Sequence, residues 1–309
     1  MNVIEISGLS KTFAGRPVLR DVSFSVQEGE VFGYLGPNGA GKTTTMRILI
    51  GLLRPTSGSA LVRGVDLGTD DAARKQVGVL MENDGLYDRI SAWRNLDYYA
   101  KLYGVPDRQR RVSELLETFG LKDRGDDKVF TFSKGMRRKL GIARAIVHDP
   151  GILLLDEPTS GLDPEAQRMV RDILTGLSRR ERMTVLLSSH NLDEVQRACS
   201  RVAVIKAGEL RAYDSVENLR DAKGVHVITL TASSEHDAIS AEGIIGSLPT
   251  VTGARREGTS LIVTHIDESS HGIIAALIGA GVRLEEARKS SRSLEDVYID
   301  LVREQEARA

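Results

Sequence analysis

The feature that most limits what this chain can fold into is the glycine loop Gly36-Pro37-Asn38-Gly39-Ala40-Gly41-Lys42-Thr43. It fits G-x-x-x-x-G-K-[ST] in full. The apolar run Val31–Leu35 leads into it, and a helical pattern follows from Thr45 until Arg54-Pro55 stops it. Glycines let the backbone wrap closely around phosphate oxygens, so that successive N–H groups point inward. The helix behind the loop aims its positive end at the same anion. In this pattern Lys42 reaches the β- and γ-phosphates of a nucleoside triphosphate, and the Thr43 hydroxyl ligates Mg²⁺. The expected cradle is therefore Gly36, Pro37, Asn38, Gly39, Ala40, Gly41, Lys42, Thr43 and Thr44. A glycine-rich turn that fits by chance has no need of both flanks. The loop alone does not name the machine. A guanine-reading N-K-x-D, which a GTPase needs, does not occur after it.

Strand and helix patterns alternate along most of the chain. Residues 3–7 and 22–26 read as strands before the loop, and residues 56–68 as a hairpin turning at Ser57-Gly58-Ser59. Residues 91–119 are helical, with Leu96, Tyr99, Leu102 and Tyr103, then Val112, Leu115, Leu116 and Phe119, at helical spacing. Helix at 133–147, strand at 151–155, helix at 165–177, strand at 185–189, helix at 191–198 and strand at 202–206 follow. The alternation predicts an α/β domain with a buried, largely parallel sheet and a helical insertion over roughly 88–145. A boundary is expected at Lys223-Gly224, dividing 1–223 from 224–309. Beyond it the order β-α-β-β-α-β predicts a small α+β domain.

Composition excludes several classes. Lys+Arg 42 against Asp+Glu 43 leaves a net charge of −1, which gives no reason to expect nucleic-acid or anionic-membrane binding. The single cysteine, Cys199, makes no intramolecular disulfide and no zinc cluster, which fits a reducing cytosol. The N-terminus lacks a signal-peptide pattern, and no run approaches the ~18–20 apolar residues of a membrane span. Work at a membrane therefore requires another chain to cross it.

A second half of the nucleotide site follows. The apolar run Ile152-Leu153-Leu154-Leu155 ends in two carboxylates, Asp156 and Glu157. Asp156 is placed to hold Mg²⁺, directly or through water, and Glu157 to face the attacking water. Alone, two acids after a strand are a weak signal, because solvated strand ends often carry them. His190, just past residues 185–189, is a candidate sensor of the γ-phosphate and the attacking water. His148, His226, His236, His265 and His271 read better as exposed loop histidines.

Between the two halves lies Phe132-Ser133-Lys134-Gly135-Met136-Arg137-Arg138-Lys139-Leu140. This stretch resembles the signature of the ABC ATPases, usually L-S-G-G-Q followed by a helix. The resemblance runs in order over residues 1 to about 220. Phe13 matches the aromatic that stacks on adenine, Glu82 the Q-loop position, Ser160-Gly161-Leu162-Asp163 the D-loop, and His190 the switch histidine. It implies the ABC-type P-loop fold and an ATPase using ATP and Mg²⁺, with Lys42, Glu157 and His190 catalytic and Thr43, Asp156 and Glu82 at the metal. It also implies that two copies pair head-to-tail, with Ser133 and Gly135 of one completing the ATP site of the other. A separate transmembrane permease would hold the pair at the cytoplasmic face of the membrane.

Three residues depart from the family pattern. Lys134 replaces the first signature glycine, Met136 the glutamine, and Glu82 the Q-loop glutamine. The S-K-G-M order, the Q-loop acid and Gly85-Leu86-Tyr87 resemble the drug- and polymer-exporting ABC-2 branch, so export is the expected direction. Residues 293–301 resemble the closing helix of that branch. They also fit an ordinary amphipathic helix with Leu294, Val297, Tyr298 and Leu301 on one face. The segment from Asn83 to about Tyr103, with Trp93, Tyr98 and Tyr99, is the expected docking face for the permease. The alternative is a soluble ABC protein of the ribosome or of DNA repair. The former type carries two ATPase halves and the latter a long coiled coil, whereas this chain has one glycine loop and no sustained heptads between Lys42 and Asp156.

Overall fold

The computed structural model describes residues 1–221, 226–267, 269–290 and 293–299. The chain divides into two compact units, Met1–Asp214 and Ser215–Ala309. The boundary expected at Lys223-Gly224 lies outside the described residues.

The first unit opens with two long strands, β1 (Asn2–Phe13) and β2 (Arg16–Gln27), paired antiparallel with Ile6 opposite Phe24. The fully buried β3 (Val31–Leu35) then feeds the glycine loop and α1 (Lys42–Leu49). Next, β4 (Ser57–Val62) pairs with β1, Ile4 opposite Val62, to close a three-stranded sheet. The local hairpin expected at 56–68 is thereby corrected. Ser57-Gly58-Ser59 lie inside β4, and the chain turns at Arg63-Gly64, with φ of 49° and 79°. The reason is non-local: β1 runs on past residue 7 and offers an edge along which residues 57–62 can pair.

A short helix α2 (Asp71–Arg74), capped by Asp70, precedes β5 (Val77–Leu80), a strand too short to announce itself in sequence. The insertion holds α3 (Ala92–Leu102) and α4 (Arg108–Thr118), separated around Gly104-Val105-Pro106, and then α5 (Lys134–Ala145), capped by Ser133. After it come β6 (Ile152–Asp156), α6 (Pro164–Glu181) capped by Asp163, β7 (Thr184–Ser189), α7 (Leu192–Ala198), β8 (Arg201–Lys206) and β9 (Glu209–Ser215). The six-stranded sheet has the order β5-β6-β7-β3-β8-β9. Pairings β5/β6, β6/β7, β7/β3 and β3/β8 are all parallel, so β3, β6 and β7 end at one edge. β6 and β7 are buried throughout, as strands of a covered parallel sheet are. That burial fixes where the residues just past them emerge.

The second unit starts with α8 (Val216–Asp221) and continues β10 (His226–Ala232), α9 (Glu235–Gly246), β11 (Val251–Glu257), β12 (Ser260–His265), α10 (His271–Gly279) and β13 (Leu284–Ser290). Its sheet has the order β11-β12-β10-β13, antiparallel at every pairing. With one crossing helix after β10 and one after β12, this is the split β-α-β arrangement. Ile228, Leu230, Leu261, Val263, Ala238, Ile245 and Leu277 form its core. Residues 294–299 are helical, with Leu294 and Val297 buried and Tyr298 half-buried; Leu301 of the expected apolar face lies outside the described residues.

Three histidines are not the exposed loop residues expected. His265 is fully buried in β12, His226 lies opposite it in β10, and His148 stacks on Tyr103 at 3.9 Å between centroids. Each has an aromatic or strand neighbour that sequence spacing does not reveal. Among the described residues no helix is long and apolar enough to cross a membrane.

Candidate functional site

The glycine loop joins the buried end of β3 to α1. A Cβ at Gly36 would lie 2.3 Å from the Ile205 carbonyl oxygen, so the backbone passes β8 where no side chain fits. Gly41 is the N-cap of α1 and offers no side-chain cap, leaving the first amides of the helix free for an anion. Lys42 follows at once and is 5% exposed. Its ammonium donates to the carbonyls of Gly36 at 2.6 Å and Pro37 at 3.2 Å, and lies 3.1 Å from Glu157 Oε1.

The end of β6 comes to the same place. Asp156 is 1% exposed; its Oδ1 accepts from Ser188 Oγ at 2.6 Å, and its Oδ2 is buried with no hydrogen-bond partner. Glu157 takes a left-handed backbone, φ 51°, which a non-glycine residue adopts at a cost and which clusters at functional sites. Its amide donates to Ser188 O at 3.2 Å and to Ser188 Oγ at 3.1 Å. Its Oε2 lies 2.7 Å from His190 Nδ1. One carboxylate thus has His190 hydrogen-bonded to one oxygen and Lys42 at ion-pair distance from the other, which takes no hydrogen bond.

Lys42, Glu157 and His190 line a cavity of about 630 Å³ together with Val18, Asn38, Gly39, Gly41, Thr43, Thr44, Glu82, Lys134, Arg138 and Ser160, whereas Asp156 lies buried behind Glu157 and does not line it. Gly36, Pro37 and Ala40 complete the loop, with Ala40 buried beneath it. Phe13 is 42% exposed under the Lys11 ammonium, 4.9 Å from its ring centroid, and does not line the cavity. Nor do Ser133, Gly135 and Asp163. Ser133 and Asp163 use their side chains to cap α5 and α6, accepting from Met136 N at 3.2 Å and Ala166 N at 2.9 Å.

The oxygens present fit Mg²⁺. The orphaned Asp156 Oδ2, the Thr43 hydroxyl and the cavity-lining Glu82 are hard donors. Among the described residues no three His, Cys, Asp or Glu side chains gather into a ready metal cage.

Two supporting residues carry no motif. Arg138, on α5, is 8% exposed, and its Nη2 donates to the Glu157 carbonyl at 3.3 Å. Glu194, on α7 just after His190, is buried and accepts from Ser189 Oγ at 2.8 Å. Burial pushes its carboxyl above the usual range, against hydrogen bonds from Thr159 and Ser189. A sequence signal for Arg138 is confined to its position four residues past Lys134, one turn along α5, and for Glu194 to its place in the first turn of the helix after His190. Beside the cavity, Asp84 pairs with Arg137 at 2.9 Å and Tyr99 Oη donates to Gly85 O at 2.7 Å. Tyr87, Tyr98 and Tyr99 pack as an aromatic cluster with centroids 5.3–6.3 Å apart, Tyr87 and Tyr98 being exposed. Of the expected docking aromatics, Trp93 is half-buried and lies outside this cluster.

Comparison with known proteins agrees with this geometry. Residues 19–160 match the ABC transporter family. YhcH, an ABC transporter ATP-binding protein of Bacillus subtilis (strain 168), is 36% identical over 306 residues, covering 98% of this chain and 96% of its own. The linearmycin resistance ATP-binding protein LnrL of the same organism is 35% identical over 240 residues, 76% of this chain and 77% of its own. Among solved structures, cbiO1 from Clostridium perfringens, part of the ABC transporter complex cbiONQ, superposes with a TM-score of 0.64 at 25% identity, over 69% of this chain and 88% of that one.

Proposed function

This chain belongs to the ABC transporter ATP-binding proteins and is an ATPase, and on that premise we propose how it works: two copies close on two ATP molecules and drive a separate membrane subunit. Glu157 is the general base for the attacking water. The observation that carries this role is its clamp, with His190 at 2.7 Å and Lys42 at 3.1 Å on a strained backbone at the cavity. The His190 half of this clamp keeps the base oriented after ATP draws Lys42 away. Lys42 leaves Glu157 for the β- and γ-phosphates when ATP fills the loop. Thr43 and Asp156, with Glu82 beside them, would hold Mg²⁺, which would supply charge neutralisation on the phosphates. His190 keeps Glu157 and the water in line.

Each site is completed by the other copy. Ser133 and Gly135 lie off the cavity of their own chain, and a signature at a helix N-terminus is an anion site in search of a phosphate. Closure on ATP and opening after hydrolysis is then a population shift between two states. The chain sits peripherally at the cytoplasmic face through a permease, and a relative named for linearmycin resistance supports export as the direction. The membership of cbiO1 in a multi-protein transporter complex supports a partner of that kind.

Dilution tests the shared site. ATPase activity per chain is expected to fall as concentration drops through the dimerisation range. A constant specific activity in a demonstrably monomeric sample overturns the proposal. Mixing Lys42→Ala with Gly135→Asp chains is expected to restore activity, because one site of the mixed dimer keeps both wild-type halves.

A further inference from the structure

The cavity has a wall built from α5, and that wall is charged. Lys134 and Arg138 are one turn apart and both line it. Arg138 is buried, with Nη2 on the Glu157 carbonyl and Nη1 shut away from solvent without a hydrogen-bond partner. A buried guanidinium with an idle donor is costly unless opposite charge surrounds it. Burial pushes Arg138 below its ordinary value, while the carboxylates of Asp84, Asp156, Glu82 and Glu157 pull it back up. Its neighbour behaves differently. Arg137 puts its donors on Asp84 and Asp88 and so ties α5 to the segment that follows Glu82.

What Arg138 holds is the one strained residue at the reacting centre. The amide of Glu157 is fastened by Ser188 of β7, and its carbonyl by Arg138 of α5. The left-handed turn at Glu157 is thus gripped on its two sides by two different elements. Such over-determination is what keeps a costly backbone in place.

We propose that Arg138 is a positioning residue for Glu157 of its own chain, through which α5 links the signature at its N-terminus to the base in the same subunit. Gly135 precedes Arg138 by less than one turn of the same unbroken helix, so engagement of the signature by a second copy's nucleotide is felt at Glu157. Sites on opposite faces of the dimer are coupled through this residue. The inference rests on the reading of Glu157 as base and of the signature as acting across the dimer.

The test uses the full chain and the variants Arg138→Gln and Arg138→Lys. A misplaced base loses on the order of tenfold to a hundredfold in kcat. That loss is expected for Arg138→Gln, with KM and the affinity for trinitrophenyl-ATP within about twofold of wild type and an unchanged melting temperature. Arg138→Lys is expected to recover part of the rate. The double variant Arg138→Gln/Glu157→Gln should turn over no more slowly than Glu157→Gln alone, since a residue that acts through another has nothing left to position. If Arg138→Gln does not fold, Arg138→Lys carries the test: reduced kcat at unchanged trinitrophenyl-ATP affinity supports the proposal, and wild-type kcat overturns it. Wild-type kcat in Arg138→Gln, or multiplied losses in the double variant, overturns it as well. Near-normal turnover by Glu157→Gln overturns the base assignment beneath it, whereas a neutral Arg138→Gln beside a dead Glu157→Gln overturns this inference alone.

Discussion

The buried polar side chains of the two units serve different ends. In Met1–Asp214 they include Lys42, Arg138, Asp156 and Glu194, all at or behind one cavity. In Ser215–Ala309, among the described residues, they are Asp237 and His265. Asp237 sits in the first turn of α9, taking a hydrogen bond from Ser234 at 2.6 Å and an ion pair from Arg283 at 3.2 Å. The Nε2 of His265 lies 2.9 Å from the hydroxyl of Ser270, the N-cap of α10. The first unit thus concentrates buried charge where a phosphate chain has to be met, and the second spends its few buried polar groups on helix starts. Burying charge without a partner is costly, so a fold keeps it where chemistry or capping calls for it.

The largest expected effect breaks the comparison on the chemical side. Glu157→Gln should lower ATP turnover by about 10²–10⁴-fold while ATP binding persists, measured as kcat beside trinitrophenyl-ATP affinity. Near-normal turnover would falsify the base role. In the second unit Leu230, fully buried in β10, is the counterpart. Leu230→Ala should destabilise that unit by roughly 2–5 kcal/mol, read by denaturant unfolding or by proteolysis after residue 221. ATP affinity should hold, because every nucleotide-site residue belongs to the first unit; a parallel loss would show that the two are not separable.

A smaller effect is expected at the rim of the site. Tyr98, 47% exposed, packs edge-on to Tyr87 and Tyr99. Tyr98→Ala should weaken co-purification with the membrane subunit by about tenfold, as loss of an interface aromatic does, with ATP affinity unchanged. Undiminished capture would remove the tyrosine cluster from the docking face.

The smallest effects are pH slopes of opposite sign. Burial holds Glu194 above its ordinary value, so the native state keeps the proton longer than the unfolded chain, and stability declines as pH rises through the window above 4.5. Burial, with His226 beside it, holds His265 below its ordinary value, so the unfolded chain takes the proton first and stability declines as pH falls below 6.5. Glu194→Gln should reduce the first slope, and His265→Gln should reduce the second without abolishing it, because burial also pushes His148 down to about 4, measured by unfolding midpoints across pH. Slopes of the same sign, or slopes untouched by these substitutions, would contradict the assignment.

Much of the site was legible because its chemistry demands residue types in fixed local order. A loop that must wrap phosphate needs glycines within eight positions, and the strand carrying Asp156 must be apolar to be buried. The D-loop and His190 follow the same logic. Arg138 was not legible: Arg137 and Arg138 are adjacent and alike in sequence, and only burial separates the one that pairs with Asp84 and Asp88 from the one that grips Glu157. The turn placed at Ser57-Gly58-Ser59 erred for a related reason, since a local signal was outweighed by pairing with β1 more than fifty residues away, as with Val62 opposite Ile4. β5 escaped notice because four residues carry little periodicity, and its place beside β6 is a property of the sheet.

By itself the sequence determined the phosphate loop, the two acids, the β-α-β-β-α-β order of the second unit and the lack of any long apolar span, because each depends on neighbours in the chain. Only the tertiary structure decided that Lys42 and His190 meet on opposite oxygens of one carboxylate, that Glu157 is held in a left-handed turn from β7 and α5, and that Ser133 and Gly135 stand off their own cavity. The strands that carry these groups are brought side by side in the order β6-β7-β3, not in the order of the chain, and distances across a sheet follow from that packing.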